Sequence, residues 1–528
     1  MTKMEVKKLG MIGAGSMGGM MTLLCAEHGI EVHMFDPSAD NVNRVLAQAK
    51  QAGLDSRTFH HKDYESLCKA LPADSPKVFI LSLPHGSAGD KTIDGLEPFL
   101  RAGDLVLDAS NERWTSTERR QERLRPGGVH FVGMGVSGGY QAARHGPSIS
   151  PGASSPEAWE AAWPLLTKLA AKDRSGRPCT ARLGLGGCGH YVKMVHNGIE
   201  HGMMTALCEV WGIMGRCFGW SHDEVAAVLG RWNEDPDSPL RHNFLVEIGA
   251  EICRTRNPED QSRFVLDDIR DKVVQDVCGE EGTGTWIVEE AARLHVAAPS
   301  IAASHMFRVQ SAYASRREAA HRTFQETGAA VASPHPSPPQ AQTAEGKLGA
   351  AGWLRDATYA TFLLCFVQGM HLIAAADDEH GWGLDYSDVM QLWRGGCIIQ
   401  SDAIVDLLDS VYKSDKVDKQ NLLAHPTIAG ELGRVTASFR ELVVDAVRLD
   451  AYVPALSASL EYLKYSVSTD LPTSFQEAQL DFFGNHMYDL KSEGPGEPVV
   501  GKHHHEWRPA RGLKEMEEET QKEQQGKL

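Results

Sequence analysis

Residues 8–18 read Lys-Leu-Gly-Met-Ile-Gly-Ala-Gly-Ser-Met-Gly, a short apolar run that breaks into glycines spaced as G-x-G-x-x-G. Downstream, a helical pattern through Leu23, Leu24 and Cys25 leads to an alternating segment, Ile30 to Phe35, and then to Asp36. Strand, Gly-rich turn, helix, strand and acid, in that order, is what a dinucleotide-binding βαβ unit requires. Gly13 permits the tight turn. Gly15 lets the backbone approach a pyrophosphate, which then sits with Ser16 and Met17 at a helix N-terminus, and Gly18 allows close packing of helix on strand. Asp36 selects the nucleotide, because a carboxylate there hydrogen-bonds the ribose hydroxyls of NAD and repels the 2′-phosphate of NADP. Pro37-Ser38 brings no compensating cation and Arg44 lies farther on. NAD is therefore expected, with NADP second.

Strand-like runs recur at Val78–Leu83, Leu105–Asp108 and Phe131–Gly133. Alternating with helix-like stretches, they predict a doubly wound α/β sheet reaching to about residue 180. Ligands collect at strand ends, so three loops matter: Leu83-Pro84-His85-Gly86, Asp108-Ala109-Ser110-Asn111 and Gly135-Val136-Ser137-Gly138-Gly139. Past 180 the pattern turns helical, as at 357–380 and 428–448. Composition narrows the class further. Over 528 residues the formal charge is −17, from 53 basic and 70 acidic residues, which argues against nucleic acid or an anionic membrane as partner. No run is read as reaching the ~18 apolar residues of a membrane span. The start lacks the basic-then-apolar order of a signal peptide, and ten scattered cysteines without C-x-x-C fit a reduced compartment. A cytoplasmic location is expected; the ending Gly526-Lys527-Leu528 is one residue from a peroxisomal S-K-L address.

Residues 187–204 carry the chemistry: G-C-G-H-Y-V-K-M-V-H-N-G-I-E-H-G-M-M. In a helix, Lys193, His196, Asn197 and Glu200 fall at i, i+3, i+4 and i+7, and at ~100° per residue they share one face. Val192, Val195 and Ile199 occupy another. A cation, an imidazole, an amide and a carboxylate on one stripe make a poor core and a good reaction site.

Taken together, the chain resembles the decarboxylating 6-phosphogluconate dehydrogenase family, within the β-hydroxyacid dehydrogenases, from about residue 8 to about 490. The resemblance rests on G-V-S-G-G and R-H-G-P-S near 135–148, on G-H-Y-V-K-M-V-H-N-G-I-E, on G-T-G-T-W at 282–286, on Leu392–Ile399 and on F-G-N-H at 483–486. It implies an α/β Rossmann domain (1–180), a large all-α domain (181–490) and a tail (491–528) that enters the partner of a homodimer. The implied reaction transfers a hydride from C3 of a sugar acid to the nicotinamide and then releases CO2. By similarity Lys193 is the base on the C3 hydroxyl and later polarises the 3-keto oxygen, while Glu200 protonates C1 of the enediol. Asn111, Ser137, Gly138, Gly139, His196 and Asn197 match positions that hold the substrate or the nicotinamide end, and Leu83 lies on the cofactor side.

The phosphate end departs from the family. His201 stands for its tyrosine, Glu281 for its lysine and Leu480 for its tail arginine, whereas Arg308 and His486 remain. A carboxylate beside a dianion costs several kcal/mol, on the order of what a desolvated like-charge contact costs. This favours a substrate other than 6-phosphogluconate with the reaction kept, unless His201 or Arg270 supplies the missing cation. Residues 327–346, rich in Pro, Ala, Ser and Gln, read as an insertion between helices. His503-His504-His505 is read as tail, and no metal site is expected, since adjacent residues cannot all face one ion. Two rival readings stay open: a dehydrogenase that stops at the keto acid, and a cofactor-binding regulator without catalysis.

Overall fold

The computed structural model describes residues 5–279, 282–329, 344–508, 510, 512–514 and 516–517. They form two compact units, Met1–Leu463 and Lys464–Leu528. Most of the Pro-rich stretch, Glu281 and the ending Gly526-Lys527-Leu528 lie outside the described residues.

The first unit opens on an eight-stranded sheet of order β3-β2-β1-β4-β5-β6-β7-β8. Its strands are β1 (Lys8–Ile12), β2 (Glu31–Phe35), β3 (Thr58–His60), β4 (Val78–Leu81), β5 (Leu105–Asp108), β6 (His130–Ser137), β7 (Ser148–Ala153) and β8 (Gly184–Leu185). From β3 to β6 every pairing is parallel. Ile12 aligns with Leu81, Leu81 with Asp108 and Asp108 with Gly133. The carboxyl ends of β1, β4 and β5 therefore form one row with Gly133, and β6 runs four residues past it to Ser137. Apolar side chains cover both faces: Leu9, Met11, Val32 and Ile80 sit in one core, Ile12, Phe79, Leu81 and Phe131 in another. Burial on both faces is why these strands read as continuous apolar runs.

One sequence expectation needs correction. The stretch 135–139, read as a loop, is strand as far as Ser137, because β6 pairs antiparallel with β7 from Val132↔Ala153 to Ser137↔Ser148. The sheet is thus not purely parallel. Nothing in Ser-Ile-Ser-Pro-Gly-Ala alternates, so β7 carried no period-two signal.

Helices dominate after β8. The helix Cys188–Gly212 runs through the centre, packed against Ala344–His380. Its glycines make this possible. A methyl on Gly202 would fall 2.4 Å from Cys365 Sγ of that helix, and one on Gly198 would fall 2.0 Å from Ile287 Cδ1 of another, Thr283–Arg293. Gly346–His380 is, by length and composition, apolar enough to cross a membrane, which the sequence reading overlooked; 94% of its apolar window is buried inside the protein. It is a core helix, apolar all round because protein surrounds it.

The second unit is organised by Asp481, at the end of the helix Thr473–Gly484. Its buried carboxylate accepts from His504 Nδ1 at 2.9 Å, Trp507 Nε1 at 2.8 Å and the backbone N–H groups of Met487 and His505 at 3.1 Å. The tail histidines and Trp507 thus fold onto their own helix.

Candidate active site

At the end of β1, Gly13 has φ +95°, and a Cβ there would sit 2.1 Å from the Ser82 carbonyl oxygen. A Cβ on Gly18 would sit equally close to the Gly13 carbonyl, so the helix meets the turn after β1 glycine to glycine. Gly15 differs: nothing lies within 4 Å of the place its Cβ would take. It precedes the helix Ser16–Glu27, whose N-terminus no side chain caps. Its first-turn N–H groups have no intrahelical acceptor and face an open approach, which suits an anionic pyrophosphate. Asp36 follows β2, accepting from Ala14 N at 2.6 Å and Ser38 N at 2.7 Å. Asn41 Nδ2 forks between the same two oxygens at 3.4 Å, a long contact that a ribose hydroxyl would replace with a shorter one. Arg44 reaches the same loop, donating to the Ala14 carbonyl at 3.0 Å. Leu83 lies against Gly13, and its backbone N–H donates to Ser110 Oγ at 3.1 Å. These residues fit a dinucleotide.

The loops after β4 and β5 are pinned by Arg120, which sequence reading missed. Buried at 1% exposure, its guanidinium donates to Glu112 at 2.7 Å, Asp90 at 2.9 Å, Asp108 at 3.2 Å and the Gly86 carbonyl at 2.9 Å. One cation thereby fixes both loops that flank Leu83 and Asn111. Its only sequence trace is a charged residue on an amphipathic helix, indistinguishable from a solvated one.

Along the same edge, a methyl on Gly135 would fall 2.5 Å from Lys193 Cβ. The absent side chain lets the Cys188–Gly212 helix lie directly on β6, placing Lys193 beside the strand that ends in Ser137, Gly138 and Gly139. The next turn, Gly138, has φ +99° and abuts the Gly396 carbonyl, where a Cβ would come within 2.1 Å. Leu392–Gly396 is thus packing against this loop, with Trp393 fully buried.

The four polar residues of the helix do share a face. Lys193 Nζ donates to Asn197 Oδ1 at 2.5 Å, and His196 Nδ1 lies 3.0 Å from the same oxygen. Because that oxygen only accepts, Nδ1 carries the proton and Nε2 keeps its lone pair. Nε2 is buried and has no hydrogen-bond partner among the described residues, as is Ser137 Oγ. Burial, with Lys193 adding to it, holds His196 well below the usual imidazole range and therefore neutral. Asn197 Nδ2 donates to Thr283 Oγ1 at 2.9 Å, which turns its oxygen toward the lysine. Glu200 lies 3.7 Å from His196 Nδ1 and is one-fifth exposed. Thr283 is a further residue without an assigned role in the sequence reading; it starts the helix Thr283–Arg293.

Beyond Glu200, His201 and His305 stack with centroids 6.0 Å apart, and Arg308 Nε donates to Asp276 at 2.9 Å. Burial, reinforced by Arg308, holds His201 below the usual imidazole range, so it is a neutral ring rather than a cation. Arg270, offered as a compensating cation, is 71% exposed and faces Glu318 instead. Leu480 and His486 belong to the second unit, where His486 packs edge-on to Phe483 at 5.9 Å.

Comparison with known proteins now bears on this geometry. Residues 8–184 match the NAD binding domain of 6-phosphogluconate dehydrogenase, and residues 189–507 match the C-terminal domain of that enzyme. The chain belongs to the 6-phosphogluconate dehydrogenase family. Among relatives in this family, the decarboxylating 6-phosphogluconate dehydrogenase of Emericella nidulans is 41% identical over 94% of this chain and all of its own. The decarboxylating enzyme 2 of Arabidopsis thaliana is 34% identical over 95% of this chain and 97% of its own. A solved 6-phosphogluconate dehydrogenase from Plasmodium falciparum superposes with TM-score 0.81 at 27% identity, covering 95% of this chain and all of that one; it was studied with NADP+ and with 6-phosphogluconate. The family's nucleotide-binding and helical domains are both present, and the fold expected from the motifs is the fold observed.

Proposed function

We propose that the chain oxidises and decarboxylates a β-hydroxy sugar acid, 6-phosphogluconate first among candidates, to a ketose and CO2. The observation that carries this reading is the Lys193–Asn197–Thr283 relay beside the carboxyl end of β6, in the row that begins at Gly13. A nicotinamide dinucleotide bound at Gly13–Gly18, Asp36 and Leu83 supplies the hydride acceptor. Lys193 takes the C3 hydroxyl proton as the hydride leaves C3, and then, as ammonium, holds the developing oxyanion while the C1 carboxylate departs as CO2. Asn197 keeps that nitrogen aimed. His196 Nε2 and Ser137 Oγ, both buried without partners among the described residues, suit substrate hydroxyls. Glu200 protonates the enediol carbon. Relatives named for 6-phosphogluconate support that substrate. Glu281, which argued for another, lies outside the described residues.

Three finer readings belong to this proposal. NAD over NADP rests on Asp36, whose carboxylate a 2′-phosphate would meet; Arg44, which reaches the Gly-rich loop from the helix Ala39–Gln51, is the observation favouring NADP. A homodimer whose tail completes the partner's site rests on the resemblance and on the exposed Phe475 and Phe483, 72% and 71% accessible, of the second unit. Cytoplasmic residence rests on ten unpaired cysteines. Paired kinetics with NAD and NADP, light scattering on the purified chain, and imaging of a fluorescent fusion test them in turn. A kcat/KM ratio of NADP to NAD above unity would overturn the first, a monomeric active enzyme the second, and an organellar signal the third.

The main reading is tested by following dinucleotide reduction with 6-phosphogluconate and with gluconate side by side. Turnover of either supports it. Failure of both, across a panel of aldonates, would leave the regulator reading standing instead.

A further inference from the structure

Three buried polar atoms without partners lie together just past Glu200. Nδ1 of His201, Nδ1 of His305 and Oδ1 of Asp276 each lack a hydrogen-bond partner among the described residues. His201 is 5% exposed, His305 4%, and the Asp276 side chain 1%. One ligating atom from each residue lies within 4.8 Å of the other two. The His305–Asp276 approach, 3.9 Å, is too long for a hydrogen bond.

A buried polar atom left unpaired is destabilising, so three in one spot call for a common occupant. Two imidazoles and a carboxylate are the donor set of divalent zinc, iron and cobalt sites that keep coordination positions open. Further contacts preset that arrangement. Arg308 Nε holds the other oxygen of Asp276 at 2.9 Å, fixing the tilt of the carboxylate and leaving Oδ1 for a cation. Gly284 makes room for the rings: a methyl there would fall 2.5 Å from His305 Nδ1 and 2.8 Å from His201 Cε1. The imidazole planes stand 11° from parallel. Ligands at about 2.0–2.2 Å from a metal sit roughly 3–3.5 Å apart, so binding draws the three atoms inward by about an ångström.

We infer that His201, Asp276 and His305 form a divalent transition-metal site beside the reactive face of the Lys193 helix. The sequence did not suggest it, because the ligands come from three separated segments with no spacing motif. His201 and Arg308 are the residues read above at the phosphate end, so an ion here lies where a substrate phosphate would, while the inference rests on these side chains and on no step of the proposed reaction.

The test uses the full chain, stripped with a chelator and titrated with Co2+ alone, read by visible d–d absorption, calorimetry and thermal unfolding. The site calls for one tight Co2+ per chain, displaced by Zn2+, with a d–d band and a rise in Tm, since a ligand of the folded state stabilises it. His305→Gln and Asp276→Asn should each weaken binding at least about tenfold and remove the band. His504→Gln, in the tail, should leave it unchanged. Circular dichroism checks each variant's fold, and either one suffices to locate the ion. No band and no heat in the wild-type chain would mean that water fills the space, and would overturn the inference. So would a band that survives both His305→Gln and Asp276→Asn.

Discussion

The two ends of the reactive row are built by opposite means. At the nucleotide end the structure works by omission: Gly13, Gly15 and Gly18 supply backbone and empty space, and Asp36 holds a carboxylate against the turn. At the substrate end it works by side-chain relay, Thr283 to Asn197 to Lys193, with every link a hydrogen bond between 2.5 and 2.9 Å. A site made of absent atoms fails by collision when an atom is added. A relay fails by misorientation when a partner is removed. Substitutions at the first end should therefore act on folding and cofactor affinity, and those at the second on kcat.

The sharpest break is Lys193→Met. Without the base, turnover should fall by at least about 10³-fold, within the span attributed to general acid–base groups, while dinucleotide affinity measured by fluorescence stays near wild type. Lost cofactor binding would contradict the division between the two ends. Next come two alanines expected to behave differently. Gly18→Ala drives a methyl into the Gly13 carbonyl and should destabilise by about 1–3 kcal/mol in urea unfolding. Gly15→Ala meets nothing in the protein, so Tm should hold while dinucleotide affinity drops. Equal Tm for both variants would refute the steric account.

Thr283→Val leaves the Asn197 amide without its acceptor, a cost of about 1–3 kcal/mol. We expect kcat to fall roughly tenfold at little change in KM, with Thr283→Ser restoring it; a pure KM effect would mean Asn197 is held some other way. Asp36→Ala tests the nucleotide end by selectivity. Losing one charge-assisted hydrogen bond, about 1.5–3 kcal/mol at most, should shift the NAD-to-NADP ratio of kcat/KM toward NADP by about tenfold or more. An unchanged ratio would point to Arg44 as the residue that selects the nucleotide.

The nucleotide end was legible because its signals are local: glycine spacing, a flanking strand and an acid fit within residues 8–36. The helix face was legible for the same reason, since helical geometry converts spacing in sequence into a shared side. What escaped notice depends on chain segments far apart. Arg120 bridges three acids and the Gly86 carbonyl, yet its own helix looks like a solvated surface. β7 is held by its pairing with β6 rather than by an apolar pattern. Thr283 and Asp276 reach the site through tertiary packing alone. The phosphate-end reading treated His201 as a stand-in cation, but burial makes it neutral, and no sequence rule states how deep a residue will lie.

Gas release measured against dinucleotide reduction addresses the central claim most directly. With 6-phosphogluconate as substrate, CO2 should appear in equal amount to the reduced dinucleotide, and neither should form with Lys193→Met. Reduced dinucleotide accumulating without CO2, or both forming undiminished in that variant, would contradict the account.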